Sequence, residues 1–358
     1  MEEDFRSDDI LFQTLRLVAP GTALHEGLEG ILRAGTGALI GVGDSDAVMS
    51  IVNGGFHIDA EMTPAALYEL AKMDGAMVLS SNAKRILRAN AHLVPNPMIP
   101  TVETGTRHRT AERVARQTGE LVIAISERRN MITLYRGTFR YVLRDQSVLL
   151  AKANQALATL EKYKAVFEET LTSLSALEFE DLATLYDVAS AIQRAEMVNR
   201  IAREIERYIV ELGTEGRLIH MQLEELMVDI EEEGLLVIQD HRTDDAEPAE
   251  KILETIARWS SEELLDLSLI ARALGYTEHM SNLDTPVTPR GYRVLHKIKR
   301  LPTSVINNLV QTFRTLPEIL AASIDALDDV EGIGEVRARA IKEGLRRLRE
   351  QVLLDRHL

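Results

Sequence analysis

Asp74-Gly75-Ala76, Gly105-Thr106-Arg107-His108-Arg109-Thr110 and Ser126-Glu127-Arg128-Arg129 are the stretches of this 358-residue chain whose residue types could do chemistry. An aspartate offers a hard oxygen ligand to a divalent cation, and a neighbouring glycine lets a phosphate approach the backbone with no Cβ in the way. An ordinary turn between a helix and a strand would read the same. The second stretch sets two arginines and two threonines where a helix begins. Free backbone amides and the positive dipole end attract phosphate there, and arginine adds a planar fork of donors. The other reading is a basic surface turn with Thr106 or Thr110 as N-cap, which leaves the arginines unexplained. The third stretch follows a strand, at the carboxyl end where α/β sheets favour ligands. A polar hairpin loop leading to Asn130 is the other reading.

The elements that must position these residues follow from periodicity. An amphipathic helix is predicted over 7–19, with Ile10, Leu11, Leu15 and Val18 on one face, and a shorter one over about 22–33. The short apolar run Ala38–Gly43 predicts a buried strand. Thr63-Pro64 predicts an N-cap with proline at the first helical position. Strands are predicted at Ala76–Leu79, Ile86–Leu93, Leu121–Ile125, Met131–Tyr135 and Phe139–Leu143, with a helix over about 108–117. Residues 1–146 thus form an α/β domain with a mixed sheet. From 147 to about 275 glycine and proline almost vanish, and apolar residues recur at three- and four-residue spacing without a sustained heptad. This predicts a helical spine with breaks at Gly213–Gly216 and near Asp240–Pro248. Glu231-Glu232-Glu233 is expected to be a solvated helix end. Asp284–Gly291, with two prolines and a glycine, is the predicted linker to a tail of short helices. The fold class is multidomain, α/β followed by all-α, with domains at 1–146, 147–287 and 288–358.

Charge is unevenly spread. The net of −15 divides into −2 up to residue 149, −17 from 150 to 287, and +4 in the tail. The overall sign argues against nucleic acid, but a basic tail beside an acidic middle suggests segments with different partners. Cysteine is absent, which excludes disulfide and thiolate chemistry. The acidic start and the lack of a long apolar run predict neither a signal peptide nor a membrane partner, and a cytoplasmic location.

The pairing of Asp74-Gly75-Ala76 with Arg107-His108-Arg109, about thirty residues apart and each in α/β context, resembles the signature of the diadenylate cyclase family. Asp74–Leu79 and Gly105–Arg113, together with the spine and tail, resemble its DNA-integrity-scanning branch over essentially the whole chain. The resemblance implies that two ATP molecules are condensed into cyclic di-AMP with release of two diphosphates. Asp74 would bind a catalytic Mg²⁺ or Mn²⁺ and help activate the attacking 3′-hydroxyl. Gly75 and Leu93 would line the nucleotide site. Thr106, Arg107, His108, Arg109 and Thr110 would hold the phosphates, and Ser126 and Glu127 would contact the nucleotide. A two-fold symmetric product implies two facing cyclase domains, and the family implies a homo-octamer.

Leu327–Ile341 resembles a helix-hairpin-helix motif, with Gly332-Ile333-Gly334 as its turn. Gly332 and Gly334 would expose backbone amides to a DNA phosphate, and Arg337 and Arg339 would add charge. Residues 294–313 resemble a degenerate partner hairpin, with Leu301-Pro302-Thr303 where glycines are expected. The resemblance implies binding to branched DNA such as Holliday junctions, and association with the nucleoid. The rival reading is a DNA-binding scaffold whose cyclase domain binds nucleotide without turnover.

Overall fold

The computed structural model describes residues 2–276 and 282–355. They divide into two compact units, residues 1–155 with 205–221, and residues 156–204 with 222–358. The boundaries between them fall within helices.

The first unit runs α1 (Glu2–Val18), α2 (Ala23–Arg33), β1 (Ala38–Val42), α3 (Asp46–Met49), β2 (Val52–Asn53), β3 (Phe56–Glu61), α4 (Pro64–Ala71), β4 (Ala76–Leu79), β5 (Arg85–Leu93), α5 (Thr106–Thr118), β6 (Leu121–Ser126), β7 (Met131–Arg136) and β8 (Phe139–Val142). Among the described residues these strands form one mixed sheet in the order β2-β5-β4-β1-β6-β7-β8, with β3 also on β5. Only β1 and β4 are paired in parallel; the other pairs are antiparallel. The central strands are apolar throughout because both faces are covered. On β6, Leu121, Ile123 and Ile125 pack with Leu24, Leu28 and Ile31 of α2 and Leu67 of α4. The alternate residues Val122 and Ala124 pack with Ala111, Val114 and Ala115 of α5. The strand period of two thus serves two helical layers.

The predicted strands stand at nearly the predicted bounds. Thr63 is the N-cap of α4, its hydroxyl accepting from the Ala66 amide at 3.1 Å, with Pro64 at the first position. The edge strands β2 and β3 and the short α3 were not anticipated. β3 is almost entirely exposed, so no burial pattern marks it. Helix α5 begins two residues earlier than predicted, and its N-cap is Gly105 rather than Thr106 or Thr110. Gly105 takes the extended conformation a cap requires, and its carbonyl accepts from the Arg109 amide. Thr106 is then the first helical residue, and the Thr110 hydroxyl donates back to the Thr106 carbonyl.

The helices that follow are α6 (Gln146–Glu180), α7 (Leu185–Leu212), α8 (Arg217–Met227), α9 (Ile230–His241), α10 (Ala249–Ala257), α11 (Ser261–Leu265) and α12 (Leu267–Ala273). The predicted breaks are present: Gly213–Gly216 is a 3₁₀ turn, and α9 and α10 are separate. Residues 205–221 belong to the first unit, where Glu211 accepts from the Tyr141 hydroxyl at 2.6 Å and the Arg144 amide at 3.1 Å.

The C-terminal helices are α13 (Tyr292–His296), α14 (Thr303–Phe313), α15 (Leu316–Ala321), α16 (Ile324–Asp328) and α17 (Glu335–Asp355). Their shared core includes Leu295, Ile306, Leu309, Leu327 and Ile341, and it also takes in Phe179 of α6. Two expectations are corrected in this unit. Asp284–Gly291 is not a free linker. The Val287 amide donates to the Ala183 carbonyl, the Leu185 amide to the Thr285 carbonyl, and Arg290 pairs with Asp244. Of the three glutamates at 231–233, only the first two are exposed; Glu233 is half-buried and pairs with Arg293 and Lys297.

Candidate functional site

A cavity of about 720 Å³ opens at one end of the sheet. Because β4 is parallel to β1 while β5 and β6 run against them, the starts of β1 and β4 meet the ends of β5 and β6 there. This topology brings Leu39, Asp74, Gly75, Ala76, Leu93, Ser126 and Glu127 to one place, and the first turn of α5 closes it with Thr106, Arg107, His108 and Thr110. Of the residues predicted for the nucleotide site, all but Arg109 line the cavity. Arg109 is exposed and lies outside that lining.

Each side chain is held for a local reason. A Cβ on Gly75 would lie 2.6 Å from the Asn90 Cα, so close strand packing alone requires glycine there. Gly37 makes room for Arg107, since a Cβ there would meet the Arg107 guanidinium. Asp74 is exposed at the cavity and Leu93 is buried in it. The exposed Asp74 carboxylate suits Mg²⁺ or Mn²⁺, which take one or two carboxylates and complete their shell with water and substrate oxygens.

The segment before α5 is clamped onto that helix. Buried Glu112 accepts from the Thr101 hydroxyl, from the Val102 amide at 3.2 Å and from Arg116 at 2.7 Å. Arg113 donates to the Ile99 carbonyl at 2.9 Å, and Gln117 accepts from the Asn96 amide at 2.8 Å. One loop, with Glu103 and Thr104 at the cavity, is thereby fixed against the helix that carries the arginines.

Reasoning from sequence missed Glu103, Tyr135, Arg140 and Glu112. Tyr135 donates to Glu103 at 2.8 Å and lies 3.0 Å from His108 Nδ1, while Arg140 donates to Glu103 at 2.7 Å. The available signal was slight: a lone tyrosine closing an apolar strand. Burial pushes the Glu103 carboxyl up, but Arg140 and Tyr135 outweigh it and hold it below the usual carboxylate range. Burial pushes His108 below its ordinary value, and Arg129, Arg107 and Arg140 add to this against the opposing Glu103. Arg129, half of the unassigned Arg128-Arg129 pair, also lines the cavity.

The tail residues predicted to meet DNA are distributed over two surfaces. Gly334 and Arg337 share a groove of about 630 Å³ with Lys299 and Arg300 from the turn between α13 and α14. Arg339 lines a different groove of about 440 Å³ with Lys342, Arg346 and Arg349, and pairs with Glu335 at 2.5 Å. Gly332 is exposed with φ of +84°, and its carbonyl accepts from Arg337.

Fold and site define an α/β protein with an arginine-flanked cavity suited to phosphate, followed by a helical region. The family described as DisA bacterial checkpoint controller nucleotide-binding (DAC) matches residues 25–139, and the DisA bacterial checkpoint controller linker region matches 143–283. The DNA integrity scanning protein DisA of Carboxydothermus hydrogenoformans is 64% identical over 345 residues, 96% of this chain and 98% of that one. That of Symbiobacterium thermophilum is 61% identical over 348 residues, covering 97% and 98%. The chain belongs to the DNA integrity scanning protein DisA family. Among the described residues no helix is long and apolar enough to cross a membrane.

Proposed function

We propose that this chain condenses two ATP molecules into cyclic di-AMP, releasing two diphosphates, and that its C-terminal region binds DNA. The observation that carries the first part is the single cavity shared by Asp74, Gly75, Thr106, Arg107, His108, Thr110, Ser126 and Glu127, of a size for one nucleotide. Asp74 would hold Mg²⁺ or Mn²⁺, which when bound neutralises phosphate charge. Arg107, Thr106 and the free amides of the first turn of α5 hold the phosphates, Leu93 gives the base an apolar wall, and Ser126 and Glu127 bound the site. The reaction needs a 3′-oxygen, an α-phosphorus and a diphosphate leaving group in line, so positioning and charge neutralisation do most of the work.

One cavity holds one ATP, and the product joins two. Two copies must therefore face each other across a two-fold axis. A homo-octamer is the assembly that the family resemblance implies.

The DNA reading is supported by the groove that joins Gly334 and Arg337 to Lys299 and Arg300. The first hairpin lacks a glycine turn, and its two cations would supply charge in place of open amides. Contacts of this kind hold phosphate without reading sequence. Branched DNA such as a Holliday junction is the expected ligand, and a nucleoid-associated, cytoplasmic enzyme follows. The alternative, a DNA-binding scaffold with a silent cyclase domain, is not favoured with all of the motif residues but Arg109 in one cavity. Incubating the full chain with ATP and Mn²⁺ or Mg²⁺ should yield cyclic di-AMP, and Asp74→Asn should abolish it with unfolding temperature unchanged. Absence of product with either metal would leave the scaffold reading.

A further inference from the structure

Behind the cavity lies a hydrogen-bonded chain that the proposed chemistry does not use. Glu103 Oε1 accepts from the Tyr135 hydroxyl at 2.8 Å and from Arg140 Nε at 2.7 Å. The Tyr135 oxygen lies 3.0 Å from His108 Nδ1, and the two rings meet edge to face with centroids 6.2 Å apart.

Counting protons fixes the direction of this chain. Glu103 is held ionised by Arg140 and Tyr135, so it has no proton to give. Tyr135 has one hydroxyl proton, and Glu103 takes it. The contact between Tyr135 and His108 then exists only if the imidazole donates, so Nδ1 carries the hydrogen. In the neutral ring, which burial and the surrounding Arg107, Arg129 and Arg140 favour, Nε2 is left as a bare acceptor. Nε2 is buried and has no hydrogen-bond partner among the described residues. His108 itself lines the cavity.

An unprotonated nitrogen repels phosphate oxygens, which are acceptors themselves. We propose that Glu103 and Tyr135 are positioning residues that lock His108 in the Nδ1–H form, so that the ring offers no N–H to the phosphates and leaves them to Arg107, Thr106 and the amides of α5. This rests on the nucleotide reading of the cavity and changes the role that the family resemblance gave to His108. Arg140 completes the device by holding Glu103 as the carboxylate.

The test uses the full chain labelled with ¹⁵N-histidine, with the His108 signals identified by their loss in His108→Gln. Solid-state NMR should show wild-type His108 protonated at Nδ1 and bare at Nε2. In Tyr135→Phe the Nε2–H form should appear, because Nδ1 has lost its acceptor. Wild-type protonation at Nε2, or an unchanged tautomer in Tyr135→Phe, would overturn the proposal. If Tyr135→Phe fails to fold, Glu103→Gln, of the same shape without the charge, carries the same comparison by freeing the Tyr135 proton. In turnover, Tyr135→Phe should lower kcat about 10- to 100-fold, as loss of an orienting partner does, with KM for ATP nearly unchanged. A rise in KM with kcat intact would count against it. The tautomer is read without turnover, so an inactive protein would defeat the cyclase reading and leave the positioning result standing.

Discussion

Gly75 and Asn90 approach so closely that a Cβ on Gly75 would sit 2.6 Å from the Asn90 Cα. Asn90 is itself in the left-handed region, φ 51°, where β5 departs from regular register with β4. Gly75→Ala should therefore push the β4 start away from β5 and carry Asp74 with it. The expected cost is about 1–3 kcal/mol, typical of overpacking, together with a loss of cyclic di-AMP synthesis larger than the stability loss explains. Thermal unfolding and product formation on the same sample check this. A stable, fully active variant would show that the strand gives way without moving Asp74.

Gly332 and Gly334 differ in why they are glycine. Gly332 has φ of +84°, whereas a Cβ on Gly334 would meet nothing within 4 Å. Gly332→Ala should cost about 1–2 kcal/mol from left-handed strain. Gly334→Ala should leave the unfolding temperature almost unchanged yet weaken DNA binding, if a phosphate approaches its amide closely. Binding isotherms at two salt concentrations beside thermal melts separate the two effects.

Arg293 and Glu178 are fully buried partners, and Glu178 also meets His241 Nε2 at 3.0 Å. Beside them, the Asp240 carboxylate accepts from the amides of Gly291, Tyr292 and Arg293. Arg293→Ala should destabilise this unit by about 3–5 kcal/mol, the usual result of leaving a buried charge unpaired. Arg293→Met with Glu178→Leu should recover much of that, since a well-packed apolar pair can replace a buried ion pair. Chemical denaturation of the single and double variants checks both. Truncation after residue 287 would strip the same partners from Glu178 and Asp240, so it would damage this unit as well as remove the hairpins.

The same cluster sets an acid limit. Burial pushes the Glu178 carboxyl up, but Arg293 and His241 outweigh it and hold it below the usual carboxylate range. As pH falls, the unfolded chain takes up a proton at this position before the folded one does. The contribution of Glu178 to stability is thus complete above about pH 4.5 and fades below it. Burial and the nearby Glu178 push Asp240 up, so its contribution has the opposite sign. Unfolding temperatures from about pH 6 down to pH 3.5 should therefore fall more steeply in wild type than in Glu178→Gln. Parallel curves would mean that Glu178 is not ionised in the folded state.

Much of the site was legible because its motifs are local. Asp74–Ala76 sits at a strand start and Thr106–Thr110 at a helix start, and flanking periodicity reveals both. The N-cap of α5 was misplaced because two threonines fit the side-chain rule, whereas Gly105 caps by backbone conformation alone. The supposed linker was misread because proline and glycine mark a turn but do not say whether its amides find partners. Here they do, at Ala183 and within reach of Asp240.

The sequence by itself determined the α/β-then-helical order, the apolar runs of the central strands and many of the residues that gather at the cavity. Those follow from periodicity and from residue chemistry within a few positions. Only the tertiary structure decided that Glu103, Tyr135 and Arg140 stand behind His108, that Arg109 lies outside the cavity, and that Lys299 and Arg300 share a groove with Gly334. Each of these depends on segments distant in the chain meeting through sheet order or helix packing, and no local pattern encodes such a meeting.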